Sequence, residues 1–125
     1  MEGPRLNSFQ EDIKHVKYIL IDEMSFIGHK MLEHIDYCLH EGFLENSNIC
    51  FGGRSIILVG DLGQLPPVMD RPPYASDNHA KLLWQRFKTI ITLDTVFRQE
   101  GDTEDQKRFR QLLTNLRDAN PTEDD

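Results

Sequence analysis

Two short apolar runs, each followed closely by an acidic residue, constrain the fold of this chain most. Residues 17–21 are apolar after their lysine, rich in β-forming side chains, and stop at Asp22. Residues 55–59 are equally apolar and stop shortly before Asp61. Runs of this length and composition predict short strands that are buried on both faces, as in a parallel sheet covered by helices.

The segments around these runs alternate between helical and extended patterns. Apolar residues recur at every fourth position over residues 27–41, which predicts an amphipathic helix that Gly42 ends; they are Ile27, Met31, Ile35 and Leu39. Further helices are predicted over residues 79–87 and 103–118, and a third strand over residues 89–93. Strand, helix, strand, helix and strand in this order predict an α/β fold with a parallel sheet.

Composition limits the functional classes that are open to the chain. Its 125 residues suit one domain, and the net charge of −7 argues against a protein that coats nucleic acid. Cys38 and Cys50 are too few for a disulfide framework and are expected to be free, partly buried thiols. His29, His34 and His40 are expected to be solvated rather than metal-bound. No membrane span or targeting segment is visible, so we expect an intracellular, nuclear protein.

The residues after the first two strands are the candidate chemical groups. Ligands of open parallel sheets bind beyond the carboxyl ends of the strands, so Asp22, Glu23 and Asp61 are expected to face one crevice. An Asp-Glu pair after a strand serves nucleotide hydrolysis, in which the aspartate holds Mg²⁺ and the glutamate activates water. An alternative is that the pair only caps the following helix. Another is a metal-dependent phosphohydrolase that uses these three acids.

Three sequence blocks together resemble one family. DEMS at residues 22–25, GDLGQLPPV at residues 60–68, and Leu93 with VFRQ at residues 96–99 are similar to motifs II, III and IV of the petite-integration-frequency (PIF) DNA helicases. This superfamily 1B group includes the helicases of Helitron-type transposons. Order and separation of the blocks both fit, over about residues 18–117, and three blocks are far more specific than one Asp-Glu pair.

The resemblance implies roles for individual residues of the first block. Asp22 would hold Mg²⁺, and Glu23 would be the catalytic base. Ser25 would support the loop that links the nucleotide to the DNA-binding side.

The other two blocks would contact the nucleotide. Gly60, Asp61 and Gln64 would form the part of the ATP site in which Gln64 approaches the γ-phosphate and Asp61 orients the loop. Arg98 would reach the γ-phosphate from a second motor domain, a role that is worth about 10³ to 10⁵ in rate in nucleotide hydrolases.

The resemblance also sets an expectation for the domains. No G-x-x-x-x-G-K-[ST] segment occurs in these 125 residues, although such a loop cradles the phosphates in P-loop enzymes. We therefore expect a partial RecA-like P-loop NTPase motor domain whose P-loop strand is missing. Residues 1–93 would be the C-terminal part of the first motor domain, and residues 94–125 would open the second.

The expected function is that of a fragment of an ATP-dependent DNA helicase. The complete protein would bind ATP, Mg²⁺ and DNA, both single strands and duplex junctions, and would serve DNA repair, recombination and telomere maintenance. The isolated chain is expected to be inactive without a phosphate loop. The alternative is a non-catalytic helicase remnant or a protein-binding fragment.

Overall fold

The computed structural model describes residues 3–93 and 103–117, and the chain divides into two compact units, Met1–Lys88 and Thr89–Asp125. In the first unit the elements are α1 (Pro4–Ile13), β1 (Tyr18–Ile21), α2 (His29–Gly42), β2 (Ser55–Leu58) and α3 (His79–Trp84). The second unit contains α4 (Glu104–Arg117). The assignment of residues 1–93 and 94–125 to two motor domains stays a prediction.

The two predicted strands pair in parallel, which confirms the sheet type. Tyr18 lies opposite Ser55, and Ile21 lies opposite Leu58. The N–H of Val59 donates to the carbonyl of Ile21 over 2.8 Å, so the pairing extends one residue beyond β2. The carboxyl ends of both strands therefore lie at the same edge of the sheet.

The prediction that both faces of these strands are buried is wrong. Exposure alternates along each strand: Tyr18 and Leu20 are 69% and 64% exposed, while Ile19 and Ile21 pack against the core. The physical reason is that, in the part of the chain that the structure describes, the core packs against one face of the sheet only. Alternation is the burial pattern of a sheet covered on one side.

The core of the first unit is formed by side chains of α2, of the turns before and after it, and of α3. Its buried members are Ile27, Leu32, Leu39, Phe43, Phe51 and Leu83. Met31, which the spacing of four assigned to the buried stripe, is 53% exposed, and Leu32 is fully buried in its place. A strict spacing of four drifts around a helix of 3.6 residues per turn, so it cannot stay on one face.

Gly42 ends α2, as predicted, but it also has a packing role. The N–H of Phe43 donates to the carbonyl of Leu39 over 2.9 Å and closes the last turn. A Cβ at Gly42 would lie 2.8 Å from a ring atom of Phe9 in α1, so the glycine allows α1 to approach closely. Helix α1 itself was not predicted.

Two predictions toward the end of the chain have opposite outcomes. Residues 89–93 form no strand, and Ile90, Ile91 and Leu93 are each more than 80% exposed. A strand requires a partner for its backbone groups, and no described strand pairs with this segment. Helix α4 is confirmed, and Thr103 and Gln106 at its start exchange hydrogen bonds as a capping box.

Two smaller observations concern the cysteines and the described helices. Cys38 and Cys50 are free and half-buried, as predicted. Among the described helices, none has the length and apolar character that crossing a membrane would require.

Candidate active site

The carboxyl ends of β1 and β2 meet through direct backbone contact. The N–H of Met24 donates to the carbonyl of Val59 over 2.9 Å. Gly60 follows at φ +142°, and a Cβ there would lie 2.7 Å from the nitrogen of Met24 and 3.3 Å from Cα of Glu23. The sequence prediction that the acids after the two strands share one edge of the sheet is therefore confirmed.

The acidic pair, Asp22 and Glu23, has an unusual local conformation. Oδ1 of Asp22 accepts a hydrogen bond of 2.8 Å from the N–H of Glu23, and both side chains are exposed. Glu23 has φ 55° and ψ 47°, in the left-handed region that non-glycine residues enter rarely and mostly at turns or functional sites. The backbone here turns sharply out of β1 and presents the Glu23 carboxylate at the edge of the sheet.

The alternative that this pair caps a helix is wrong. The 3₁₀ turn Met24–Phe26 has no side-chain cap, and α2 begins only at His29. Helix α2 has no acidic residue in its first turn. The exposed carboxylates are therefore not used to stabilise a helix start.

Residues 60–70, which we name the proline loop, contain Asp61 and Gln64, the residues that the resemblance assigns to the ATP site. Oδ1 of Asp61 accepts from the N–H of Gly63 over 2.9 Å, and its carbonyl accepts from the N–H of Gln64 over 3.2 Å. Pro67 is buried and Gln64 is exposed. The geometry of Asp61 is that of a residue that orders its own loop, which is the role the resemblance implied for it.

The far end of the proline loop contains a residue that the sequence analysis missed. Oδ2 of Asp70 accepts a hydrogen bond of 3.1 Å from the N–H of Lys30 in the first turn of α2. Oδ1 of Asp70 lies 2.5 Å from Nδ1 of His29. The ring of His29 is therefore in contact with this carboxylate and only 19% exposed, and it is not the solvated histidine that was expected. The one available signal was that α2 follows a glycine instead of a capping side chain.

Ser25 lies beneath the proline loop in a small cavity. It is 6% exposed, and among the described residues its hydroxyl has no hydrogen-bond partner. The cavity has a volume of about 20 Å³, and its lining includes Pro66 of the proline loop, Pro73 of the following turn and Trp84 of α3. This volume is close to that of one water molecule. Ser25 thus lies between the acidic pair and the proline loop.

The metal-binding capacity of this edge is limited to isolated carboxylates. The described residues contain no group of three or more His, Cys, Asp or Glu side chains arranged to hold a metal ion. Asp22, Glu23 and Asp61 are not part of such a group, and the alternative of a metal-dependent phosphohydrolase stays a hypothesis. An ion held mainly by water and substrate phosphates requires only one such carboxylate.

The structure places all but one of the predicted site residues on the two segments that follow β1 and β2, which touch at Gly60. Those at this edge are Asp22, Glu23, Ser25, Gly60, Asp61 and Gln64. Arg98 lies outside the described residues, and its role stays a prediction.

Comparisons with known proteins agree with this arrangement. A family model described as PIF1-like helicase matches residues 4–125. The ATP-dependent DNA helicase PIF1 of Candida albicans is 30% identical over an alignment of 124 residues, and the match covers 89% of this chain and 13% of that protein. The chain therefore spans a small part of the length of this relative.

Solved structures give the same result for the fold. The crystal structure of Pif1 helicase from Candida albicans matches 95% of this chain and 24% of its own, with a TM-score of 0.70 and 31% identity. Pif1 helicase from Bacteroides in complex with ADP-AlF3 and ssDNA matches 99% of this chain and 29% of its own, with a TM-score of 0.70 and 25% identity. The fold is an α/β, RecA-like arrangement with a parallel sheet, as predicted, and the chain belongs to the PIF1-like helicase family.

Proposed function

We propose that the complete protein containing this segment is an ATP-dependent DNA helicase that couples ATP hydrolysis to DNA unwinding. The observation that carries the proposal is the backbone contact between the two motif blocks, in which Gly60 lies against Glu23 and Met24. Glu23 and Gln64 must both reach the same γ-phosphate, and a contact between the segments that contain them supports this role. Family membership supports the same activity.

Asp22 and Glu23 have different roles in this proposal, metal binding and water activation. Oδ1 of Asp22 accepts from the N–H of Glu23, and the carboxylate is otherwise exposed, which fits one protein ligand to Mg²⁺. Mg²⁺, when bound, neutralises charge on the phosphates of ATP. Glu23 orients the attacking water and accepts its proton, and its exposed carboxylate at the edge of the sheet is accessible to that water.

The proline loop supplies the groups that recognise the transferred phosphate. Gln64 donates its side-chain amide to the γ-phosphate, and Asp61 holds the turn that presents Gln64. Ser25, which is 6% exposed, supports the loop that links the nucleotide to the DNA-binding side. Arg98 completes the charge stabilisation from the second motor domain.

The proposed partner is DNA, as single strands and duplex junctions. One solved relative, Pif1 from Bacteroides, has a crystal structure bound to ssDNA. The net charge of −7 means that the DNA contacts are local and are not spread over this segment. Roles in repair, recombination and telomere maintenance, and a nuclear location, are proposed on family membership alone.

The deciding experiment is Glu23→Gln in the complete helicase. The amide keeps the shape of the side chain and cannot accept a proton, so we expect ATP to bind normally and DNA-stimulated hydrolysis to fall by orders of magnitude. Glu11→Gln, at an exposed position on α1, is the matched control and should leave turnover unchanged. Unchanged hydrolysis in Glu23→Gln would refute the proposal.

The 125-residue chain tests the phosphate-loop requirement separately. It contains no G-x-x-x-x-G-K-[ST] segment, and we expect the isolated chain to hydrolyse no measurable ATP. DNA-stimulated turnover by this chain that Glu23→Gln abolishes would contradict that expectation.

A further inference from the structure

Asp70 makes contacts that tie the proline loop to a distant helix. Its carboxylate accepts from the N–H of Lys30, 40 positions earlier in the chain, and Oδ1 also accepts from the N–H of Arg71 over 2.8 Å. The side chains of Asp70 and of the neighbouring His29 are 14% and 19% exposed, so the contact between them is largely shielded from water. In addition, the backbone N–H of His29 donates a hydrogen bond of 2.8 Å to the carbonyl of Arg71, the residue after Asp70.

The N-terminus of α2 has no cap of its own and leaves space for this carboxylate. Its first turn contains no acidic residue, and Gly28 at its start makes no side-chain cap. A Cβ at Gly28 would overlap the carboxylate of Asp70, although the φ of Gly28, −82°, is ordinary. Gly28 is thus required for space, and Asp70 provides the negative charge that the N-terminus of a helix favours.

Besides its contacts at Asp70, the proline loop buries the side chain of Pro67, and its other large apolar side chains are exposed. Leu65, Val68 and Met69 are 70%, 81% and 97% exposed, so burial of their side chains does not hold the loop. Its near end is fixed where Met24 donates to Val59, and its far end is fixed at Asp70. Both attachments are to residues 23–30, the segment that starts with Glu23.

We propose that Asp70 is a positioning residue that locks the proline loop onto the segment containing the catalytic base, so that Gln64 and Glu23 keep a fixed separation. This inference rests on the proposed function. In this proposal Asp70 acts through Gln64. Because Gln64 serves the γ-phosphate, loss of the lock weakens stabilisation of the transition state and leaves ADP binding unchanged.

The test uses the complete helicase with Asp70→Ala and Asp70→Asn. Asp77→Asn is the matched control, because the Asp77 side chain is 97% exposed. For Asp70→Ala we expect faster hydrogen exchange at the Lys30 amide and a roughly 10- to 100-fold lower kcat, as for other small misplacements of catalytic groups. The affinity for ADP should be unchanged, and the affinity for ADP with aluminium fluoride should fall with kcat. Asp70→Asn keeps an acceptor for Lys30 and should show a smaller loss.

The outcomes separate this inference from the proposed function. Faster exchange at Lys30 with unchanged kcat would show a purely structural cap and would overturn the positioning role. Unchanged exchange at Lys30 would overturn the lock itself. If Asp70→Ala fails to fold, His29→Gln weakens the same lock and is judged by the same readouts. Full hydrolysis in Glu23→Gln would refute the proposed function, and the exchange result at Lys30 would still decide whether the lock exists.

Discussion

The carboxylate of Asp36 accepts a hydrogen bond of 2.6 Å from the backbone N–H of Phe51, 15 positions further along the chain. Asp36 is 3% exposed, and its two oxygens also lie 3.3 Å from ring nitrogens of His40 and His79. Phe51 is buried at φ 56°, and Gly52 follows at φ 57°. One carboxylate therefore connects α2, α3 and a left-handed turn that leads into β2.

We expect Asp36→Ala to lower the free energy of unfolding by about 2 to 4 kcal/mol, because it leaves the buried N–H of Phe51 without an acceptor. Urea-induced unfolding of the 125-residue chain measures this change. Asp12→Ala, at an exposed position on α1, should stay within about 0.5 kcal/mol of the unmodified chain. Equal losses in both variants would show that Asp36 does not connect these elements.

Adjacent leucines in α3 provide a matched test of the core. Leu83 is fully buried in the core cluster, while Leu82 is 61% exposed. We expect Leu83→Ala to destabilise the fold by about 2 to 5 kcal/mol through lost burial and the cavity that remains. Leu82→Ala should cost less than about 1 kcal/mol, since alanine favours the helix. Similar unfolding midpoints for the two variants would contradict the position of α3.

The parts of the site that local sequence determines were predictable. Two apolar runs predicted β1 and β2, and parallel pairing then placed Asp22 and Asp61 at one edge without knowledge of any other contact. The strand predicted over residues 89–93 was wrong because β-forming side chains specify a strand only when a partner is present.

The parts set by distant contacts were not predictable. Nothing near Asp70 in sequence indicates that it caps a helix 40 positions earlier. Glu23 and Phe51 adopt left-handed conformations, which residues other than glycine rarely adopt. We infer that tertiary contacts impose these conformations. Gly28 and Gly42 are required for the space they leave to Asp70 and to α1, which a sequence pattern does not reveal.

Arg98 is tested by the complete helicase, because its role depends on the second motor domain. We expect Arg98→Ala to slow ATP turnover by about 10³ to 10⁵ and to leave ADP binding unchanged, since its charge acts on the γ-phosphate in the transition state. Arg98→Lys keeps the charge without the planar fork and should recover part of the rate. Turnover that is unaffected in Arg98→Ala would remove this residue from the site.

Gly60 lies where the backbones of the two motif blocks are in contact. Gly60→Ala should lower the free energy of unfolding by about 1 to 3 kcal/mol, because φ +142° strains any other residue and its Cβ would press on the nitrogen of Met24. Urea unfolding and hydrogen exchange at the Met24 amide measure this effect. Gly63, an exposed glycine in the same loop, is the control, and Gly63→Ala should change stability by less than about 0.5 kcal/mol. A Gly60→Ala chain that is as stable as this control, with Met24 equally protected, would show that the blocks are not in contact.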